Sequence, residues 1–391
     1  MADTHTAILV VDDVAENRDL LSRRLRRMGF SQIEEAENGV EALAAIDRRA
    51  FDLVLLDIMM PVLDGFGVLE QLKADGRIND LPVVVVSALN DIEPLVRCVE
   101  LGADDFLFKP FNPTLLRARV LATLEKKALR DRTRDELKRK QVELAEARTL
   151  QLALAPPRLS APLGGSRLRV AAMLEPAKEV GGDLVDYFAV DGDKLAMLVG
   201  DVSDKGAGAA LVMARTHAMF RALAARPDSG ELFARPERAV ALVNDALAVG
   251  NANCMFVTLF LATLDLDTRR LAYVRAGHVP PFLRRADGEV LRLEVLSGPP
   301  LGVADGIAYR AGAIELAPGD SLLALTDGFT EAQDPAGELY GEEPIARFLA
   351  ATPGLSADTL PRLAAEVRAF EAGQPAFDDM AAFLVALDAS A

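Results

Sequence analysis

Five groups in the first third of the chain stand where short apolar runs end. Asp12 and Asp13 follow AILVV, Asp57 follows LVLL, Ser87 follows VVVV, and Lys109 follows DFLF with Pro110 behind it. Acids, a hydroxyl and one ammonium gathered in this way suit a Mg²⁺ ion and a phosphoryl group. Magnesium takes a few carboxylate oxygens and keeps its waters, and lysine meets phosphate oxygens as a compact charge. A single aspartate after a strand is as readily the cap of the next helix. Capping does not account for all five at matching positions.

A second set of acids is spread through the rest of the chain. It comprises Asp183 in EVGGDLVDYF, Asp201 in LVGDVSDKGAGAAL, Asp327 in LLALTDGFTEA, and Asp378 with Asp379 in FDDMAAFLVAL. Each lies at the edge of an apolar run, and glycines beside Asp183 and Asp327 allow close backbone approach. Any one Asp-Gly pair reads equally as a turn. Four carboxylates meeting at one sheet edge would repel, and two divalent cations would turn that repulsion into coordination. Oxygen-only ligands favour Mg²⁺ or Mn²⁺ over zinc. Two such ions roughly 3.5–4 Å apart acidify a water for in-line attack on phosphorus, so no Ser or Cys nucleophile is needed. DKGAG fails the P-loop pattern, because its lysine precedes the glycines and no Ser or Thr follows.

The elements that must hold these groups can be read from periodicity. From Ala7 to about Leu121, five apolar runs alternate with amphipathic helical stretches, the mark of a parallel sheet covered on both faces. That is a doubly wound α/β domain, whose pocket lies at the carboxyl ends of its strands. Leu115 to Ala155 lacks Gly and Pro and is rich in helix formers, predicting a rod of about 60 Å at 1.5 Å per residue. A heptad drawn through Leu137, Leu144, Ala147, Gln151 and Leu154 is interrupted by Asp131, Asp135 and Lys140, so pairing with a second copy is an expectation from an imperfect pattern. From about Arg167 the period changes to strands joined by Asp191-Gly192 and Asp287-Gly288, with helices over 207–225, 236–249 and 360–371. This predicts an α+β domain with a sheet-on-sheet core. The expected divisions are 1–122, a helical linker over 123–157, and 158–391, with the boundary in Pro156–Gly165.

The chain has 391 residues, long enough for two or three cores, and a net charge of −16, which argues against a general nucleic-acid binder. Glu125 to Arg148 leans basic but reads as a solvated helix face. No apolar run reaches the length of a membrane span, Cys98 and Cys254 offer no zinc or disulfide framework, and the N-terminal TAILVVDD has no secretory pattern. The expected setting is soluble and cytoplasmic, with no membrane or nucleic-acid partner.

Residues 5–122 resemble the receiver domain of two-component response regulators. The resemblance implies that Asp57 accepts phosphate from a sensor histidine kinase or a phosphotransfer protein. It implies that Asp12, Asp13 and Asp57 hold Mg²⁺, that Ser87 and Lys109 contact the phosphoryl group, that Phe106 is the switch aromatic, and that Lys109-Pro110 is cis. About 165–388 is similar to PPM-type metal-dependent serine/threonine phosphatases of the bacterial branch that regulates sigma factors. The shared motifs are VGGD, GDVSDKGAGAAL, AGHVPP, LTDGFTEA with GELYG, and the terminal DD. This resemblance implies a β-sandwich flanked by helices that carries two Mn²⁺ or Mg²⁺ ions. Asp201 would bridge both ions, Asp183 would serve the first, and Asp327 and Asp378 the second, aided by the Val202 carbonyl. Asp379 is the alternative to Asp378.

Four positions stand apart from the family pattern or remain open. Ser203 takes the place of a histidine in eukaryotic relatives, and Ala381 the place of a common threonine. His278 is either catalytic or a structural turn residue, and Lys178 either meets substrate phosphate or is solvated. The implied function is a response regulator whose phosphatase acts on a phosphorylated anti-sigma-factor antagonist. The alternative is a phosphorylation-controlled adaptor without turnover.

Overall fold

The computed structural model describes residues 6–88, 92–156, 159–163, 166–178, 180–295, 297–352 and 358–388. Part of the expected 156–165 boundary therefore lies outside the described residues. The chain forms two compact units, Met1–Lys140 and Gln141–Ala391.

The first unit alternates strand and helix in the expected order: β1 (Ala7–Val11), α1 (Ala15–Arg27), β2 (Gln32–Ala36), α2 (Gly39–Arg48), β3 (Leu53–Asp57), α3 (Gly65–Ala74), β4 (Val83–Ser87), α4 (Ile92–Glu100) and β5 (Asp105–Phe108). All four sheet pairings are parallel, in the order β2-β1-β3-β4-β5. Every residue of β1, β3 and β4 is buried, because helices cover both faces and both alternating side-chain sets must be apolar. Leu9, Val11, Leu56 and Val85 pack into one face, and Ile8, Val10, Leu55 and Val84 into the other. The strand order reverses between β1 and β3, and their carboxyl ends deliver Asp12 and Asp57 to one crevice. The fifth helix, α5, runs Pro113–Leu152, close to the length its composition predicts.

The second unit is a sandwich of two antiparallel sheets. One sheet has the order β14-β11-β10-β9-β8 and the other β13-β12-β15-β16-β7-β6. Its elements are β6 (Leu159–Leu163), β7 (Ser166–Glu175), β8 (Leu184–Val190), β9 (Lys194–Val202), α6 (Ala207–Ala224), α7 (Ser229–Ala234), α8 (Pro236–Ala248), β10 (Val257–Asp265), β11 (Arg270–Ala276), β12 (Phe282–Arg284), β13 (Val290–Arg292), β14 (Gly312–Glu315), β15 (Ser321–Leu325), α9 (Glu342–Ala351), α10 (Thr359–Glu371) and β16 (Met380–Leu387). Met197, Val199, Phe260, Phe383 and Val385 fill the space between the sheets. Helices α6, α7 and α8 cover one outer face, and α9 and α10 the other. At the β8–β9 turn, Asp191 and Gly192 have φ of 52° and 74°, the left-handed pair that a tight hairpin requires.

The structure departs from the sequence expectation in three places. Helices α7 and α9 were not anticipated: the first has six residues, and the second opens behind Gly341 with no side-chain cap and carries Pro344 in its first turn. The heptad does not describe one exposed seam. Leu137 and Ala147 are exposed, whereas Gln151 is buried and Leu154 packs against the core beneath α6 and α8.

The sandwich interior has a direct test. Phe383 is fully buried, with its ring stacked 6.1 Å from that of Phe260. Phe383→Ala is expected to cost about 3–5 kcal/mol. In urea unfolding of the full chain, the transition of the second unit should move to lower denaturant and that of the first should stay in place.

Candidate functional site

In the first unit, Asp12, Asp13 and Asp57 each offer a carboxylate oxygen within 4.8 Å of the others, the tightest arrangement of its kind among the described residues. Asp12 and Asp57 are buried and Asp13 is exposed. Lys109 Nζ stands 2.7 Å from Asp57 Oδ2 and 2.8 Å from Asp12 Oδ2. Asp12 Oδ1 accepts from Val14 N and Asn17 Nδ2, both at 3.0 Å. Its Oδ2 is buried and is matched by the Lys109 ammonium. Burial raises the Asp57 pKa, and Lys109 opposes that rise. For Lys109, burial works against the ammonium, but bonds to both acids outweigh it and hold the pKa up.

Around this pocket, Ser87 is buried at the end of β4. Phe106 is half-buried, edge-on to Phe108 at 5.3 Å, with the Arg119 guanidinium 5.8 Å from its ring centre. The Lys109-Pro110 bond is cis.

In the second unit, antiparallel pairing brings four strand ends together. Asp183 precedes β8 and Asp201 lies near the end of β9, while Leu184 pairs with Gly200. Asp327 follows β15, and Asp378 precedes β16, which pairs with β15. Strands from both sheets thus deliver acids to one end of the sandwich. Their proximity registers in their acidities. Burial, then the charge of Asp201, holds Asp183 well above the usual carboxylate range. Burial, then Asp327, lifts Asp201 to about 7. Burial, then Glu331 and Asp378, lifts Asp327 to about 6. A cluster this reluctant to ionise fits two hard cations, which would take the place of the protons.

Geometry separates Asp378 from Asp379. Both oxygens of Asp379 are held by backbone, Oδ1 by Ala177 N at 2.8 Å and Oδ2 by Gly182 N at 2.7 Å. Asp378 instead turns Oδ2 to the Lys205 ammonium at 2.7 Å. Lys205 also donates to the Phe377 carbonyl at 2.9 Å and stands 4.8 Å from the Phe377 ring centre. A Cβ on Gly181 would come within 2.0 Å of Asp379 Oδ2, so only glycine fits there. The Val202 carbonyl faces Gly182, where a Cβ would approach to 3.1 Å.

The other singled-out residues fall into place around this cluster. Ser203 Oγ accepts from Phe256 N, and Ser203 N donates to Phe256 O, both at 2.9 Å, so its groups extend the β9–β10 pairing. His278 is buried with Nδ1 3.0 Å from Thr258 Oγ1, and burial pushes its pKa down to about 3. It is neutral at working pH and braces Thr258, the cross-strand partner of Asp201. The Lys178 side chain is exposed.

Sequence reasoning missed two further side chains. Thr326 donates to Asp183 Oδ2 at 2.7 Å and accepts from Ala381 N at 2.9 Å, which places a hydroxyl at Ala381 from across the sheet. Its signal was its position before Asp327. Lys205 stood in the DKGAG stretch that was weighed only as a phosphate loop.

Comparison with known proteins agrees with this division. The family model of Stage II sporulation protein E (SpoIIE) matches residues 191–388, and that of the response regulator receiver domain matches 8–121. Asp183 lies just outside the first match. Protein IcfG of Synechocystis sp. is 30% identical over 233 residues, 54% of this chain and 37% of that protein. A probable transcriptional regulator, ycf27 of Guillardia theta, is 40% identical over 124 residues, 32% of this chain and 47% of its own length. The chain therefore spans less than half of each of these relatives. In fold, the SiaA-PP2C domain of Pseudomonas aeruginosa superposes with a TM-score of 0.56 at 23% identity, over 65% of this chain and 99% of that domain.

The acid cluster makes a prediction about pH. Asp201 and Asp327 keep protons in the folded state that the unfolded chain, near 3.8, has already released. The native state then binds more protons than the unfolded state, so stability falls as pH rises through the interval from 3.8 to about 7. With divalent ions chelated, the second unit should melt at lower temperature at pH 8 than at pH 5. Saturating Mn²⁺ should restore it, and Asp201→Asn should flatten the slope. A melting temperature that climbs through this interval would contradict the clustering.

Proposed function

The chain belongs to the Stage II sporulation protein E family and carries a response regulator receiver domain ahead of its PP2C-type phosphatase domain, and from that premise we propose a receiver-controlled, metal-dependent phosphoprotein phosphatase. The observation that carries the reading is the set of Asp183, Asp201 and Asp327 at one end of the sandwich, each with its pKa raised by burial and by neighbouring carboxylates. Asp183, Asp201, Asp327 and Asp378 would hold two Mn²⁺ or Mg²⁺ ions, with the Val202 carbonyl as a further donor. Such a pair supplies Lewis acidity, lowering the pKa of a water toward neutrality for attack on phosphorus.

The protein's own groups set the rest. Thr326 orients Asp183, Asp379 fixes the loop that carries it, and the buried, neutral His278 braces the strand opposite Asp201. Water adds to the phosphoester, the P–O bond to the serine or threonine breaks, and the side-chain hydroxyl leaves with a proton from solvent. His278, buried and held in its neutral form with a pKa pushed down to about 3, serves as a brace and not as that acid. The substrate class is a phosphoserine or phosphothreonine on a protein of the anti-sigma-antagonist kind.

In the receiver, Asp57 is the phosphoacceptor, served by a histidine kinase or phosphotransfer protein. Asp12 and Asp13 complete a Mg²⁺ site with it, and Lys109 and Ser87 meet the phosphoryl oxygens. Phosphorylation shifts a two-state equilibrium that reaches the phosphatase through residues 123–157, whose exposed stretch ahead of Gln151 would also pair two copies of the chain.

The test is phosphate release from a phosphoserine protein by the full chain with Mn²⁺. Removing a ligand forfeits several kcal/mol of charge stabilisation, so Asp201→Ala should lower the rate by roughly 10²- to 10³-fold. Retained activity would reject the two-metal site. Mn²⁺ binding without turnover on any phosphoprotein would leave the second half an adaptor. Acetyl phosphate with Mg²⁺ should label the wild type and not Asp57→Asn, and an identical phosphatase rate before and after labelling would reject receiver control.

A further inference from the structure

The loop that carries Asp183 is gripped from two sides. On one side stands Asp379, bonded to Ala177 N and Gly182 N. On the other is the last turn of α5. Gln151 is buried, its Nε2 donates to Gly181 O at 2.9 Å, and its Oε1 accepts from Gly181 N at 3.0 Å. One turn earlier, Arg148 Nη1 donates to Lys178 O at 2.8 Å. The peptide joining Gly181 to Gly182 is therefore held at its carbonyl by a helix and at its N–H by Asp379. Asp183 is the next residue, and its side chain is fixed separately by Thr326.

We propose that Gln151 is a positioning residue for the phosphatase metal site, with the final turn of α5 setting the place of Asp183 through Gly181. This rests on the two-metal reading above and deepens it, because it names the contact by which the helix acts on that site. Both polar groups of the Gln151 amide are spent on both polar groups of one glycine, in a place where water does not replace them. A side chain of the same length without those groups would leave a buried N–H and C=O unpaired, and the loop would relax toward solvent to satisfy them. The site would then lose pre-organisation and keep all its ligands. Outer partners of metal ligands characteristically act in this way. Glycine at 181 is also the residue that steric contact with Asp379 demands, so the amide of Gln151 meets a backbone with no side chain to shield it.

The experiment uses the full chain and Gln151→Met, which preserves length and helix propensity. Three quantities are read: Mn²⁺ affinity by titration calorimetry, amide hydrogen exchange over 177–183 with no metal present, and the melting temperature. The expected result is a Mn²⁺ dissociation constant raised about tenfold or more, together with faster exchange at Gly181 and Gly182. Phosphatase rate should recover at saturating Mn²⁺, since no ligand has been removed. Affinity within about twofold of wild type, with unchanged exchange, overturns the proposal. If Gln151→Met does not fold, Arg148→Met carries the same test, and unchanged exchange over 177–183 there overturns it. A wild type that binds no Mn²⁺ sinks the two-metal reading, and the metal-free exchange comparison still decides whether Gln151 holds the loop.

Discussion

Carboxylates buried beside one another are the constraint on which both halves of this protein turn. Each such group gives up water, and each adds its charge to its neighbours' field. The first unit answers with a resident cation, since Lys109 lies between Asp12 and Asp57 and neutralises part of the pair. Among the described residues of the second unit, no lysine or arginine forms an ion pair with Asp183, Asp201 or Asp327. Lys205 sits at the rim on Asp378, and Asp183, Asp201 and Asp327 are left to repel. The folds differ because the problems differ. A crevice between parallel strands brings two acids and a lysine from three strand ends, whereas four acids from two sheets require antiparallel strands to start and stop at one edge.

Much of this was legible in the sequence for a physical reason. Strand ends are marked by where apolar runs stop, and a charged residue there is either at a rim or paired. The five groups of the receiver and the acids at 183, 201 and 327 could be placed by that rule alone. The hairpin at Asp191-Gly192 was legible because few residue pairs accept two left-handed conformations in succession. Strand β16 was read to its last residue because MAAFLVAL has no polar position at all.

The rest depended on contacts that no local pattern encodes. The amides that hold both oxygens of Asp379, those of Ala177 and Gly182, stand some two hundred positions earlier in the chain. The sequence put Gln151 on a helical seam, and only the fold shows its amide committed to a glycine loop. Helix α9 escaped notice because its start carries no side-chain cap and Pro344 stands in its first turn. The sequence left His278 open between a catalytic and a structural role, and its burial against Thr258 makes it a neutral brace.

Gly181 and Gly328 sit against Asp379, one a hypothetical methyl's 2.0 Å from a side-chain oxygen and the other 1.9 Å from the main-chain carbonyl. Neither bears a functional group, yet both are as intolerant of replacement as the acids. A saturation library of this chain would therefore show two silent vetoes among its chemistry-bearing positions. An engineer seeking to retune the centre would have to redesign outward from Asp379, leaving those two alleles untouched.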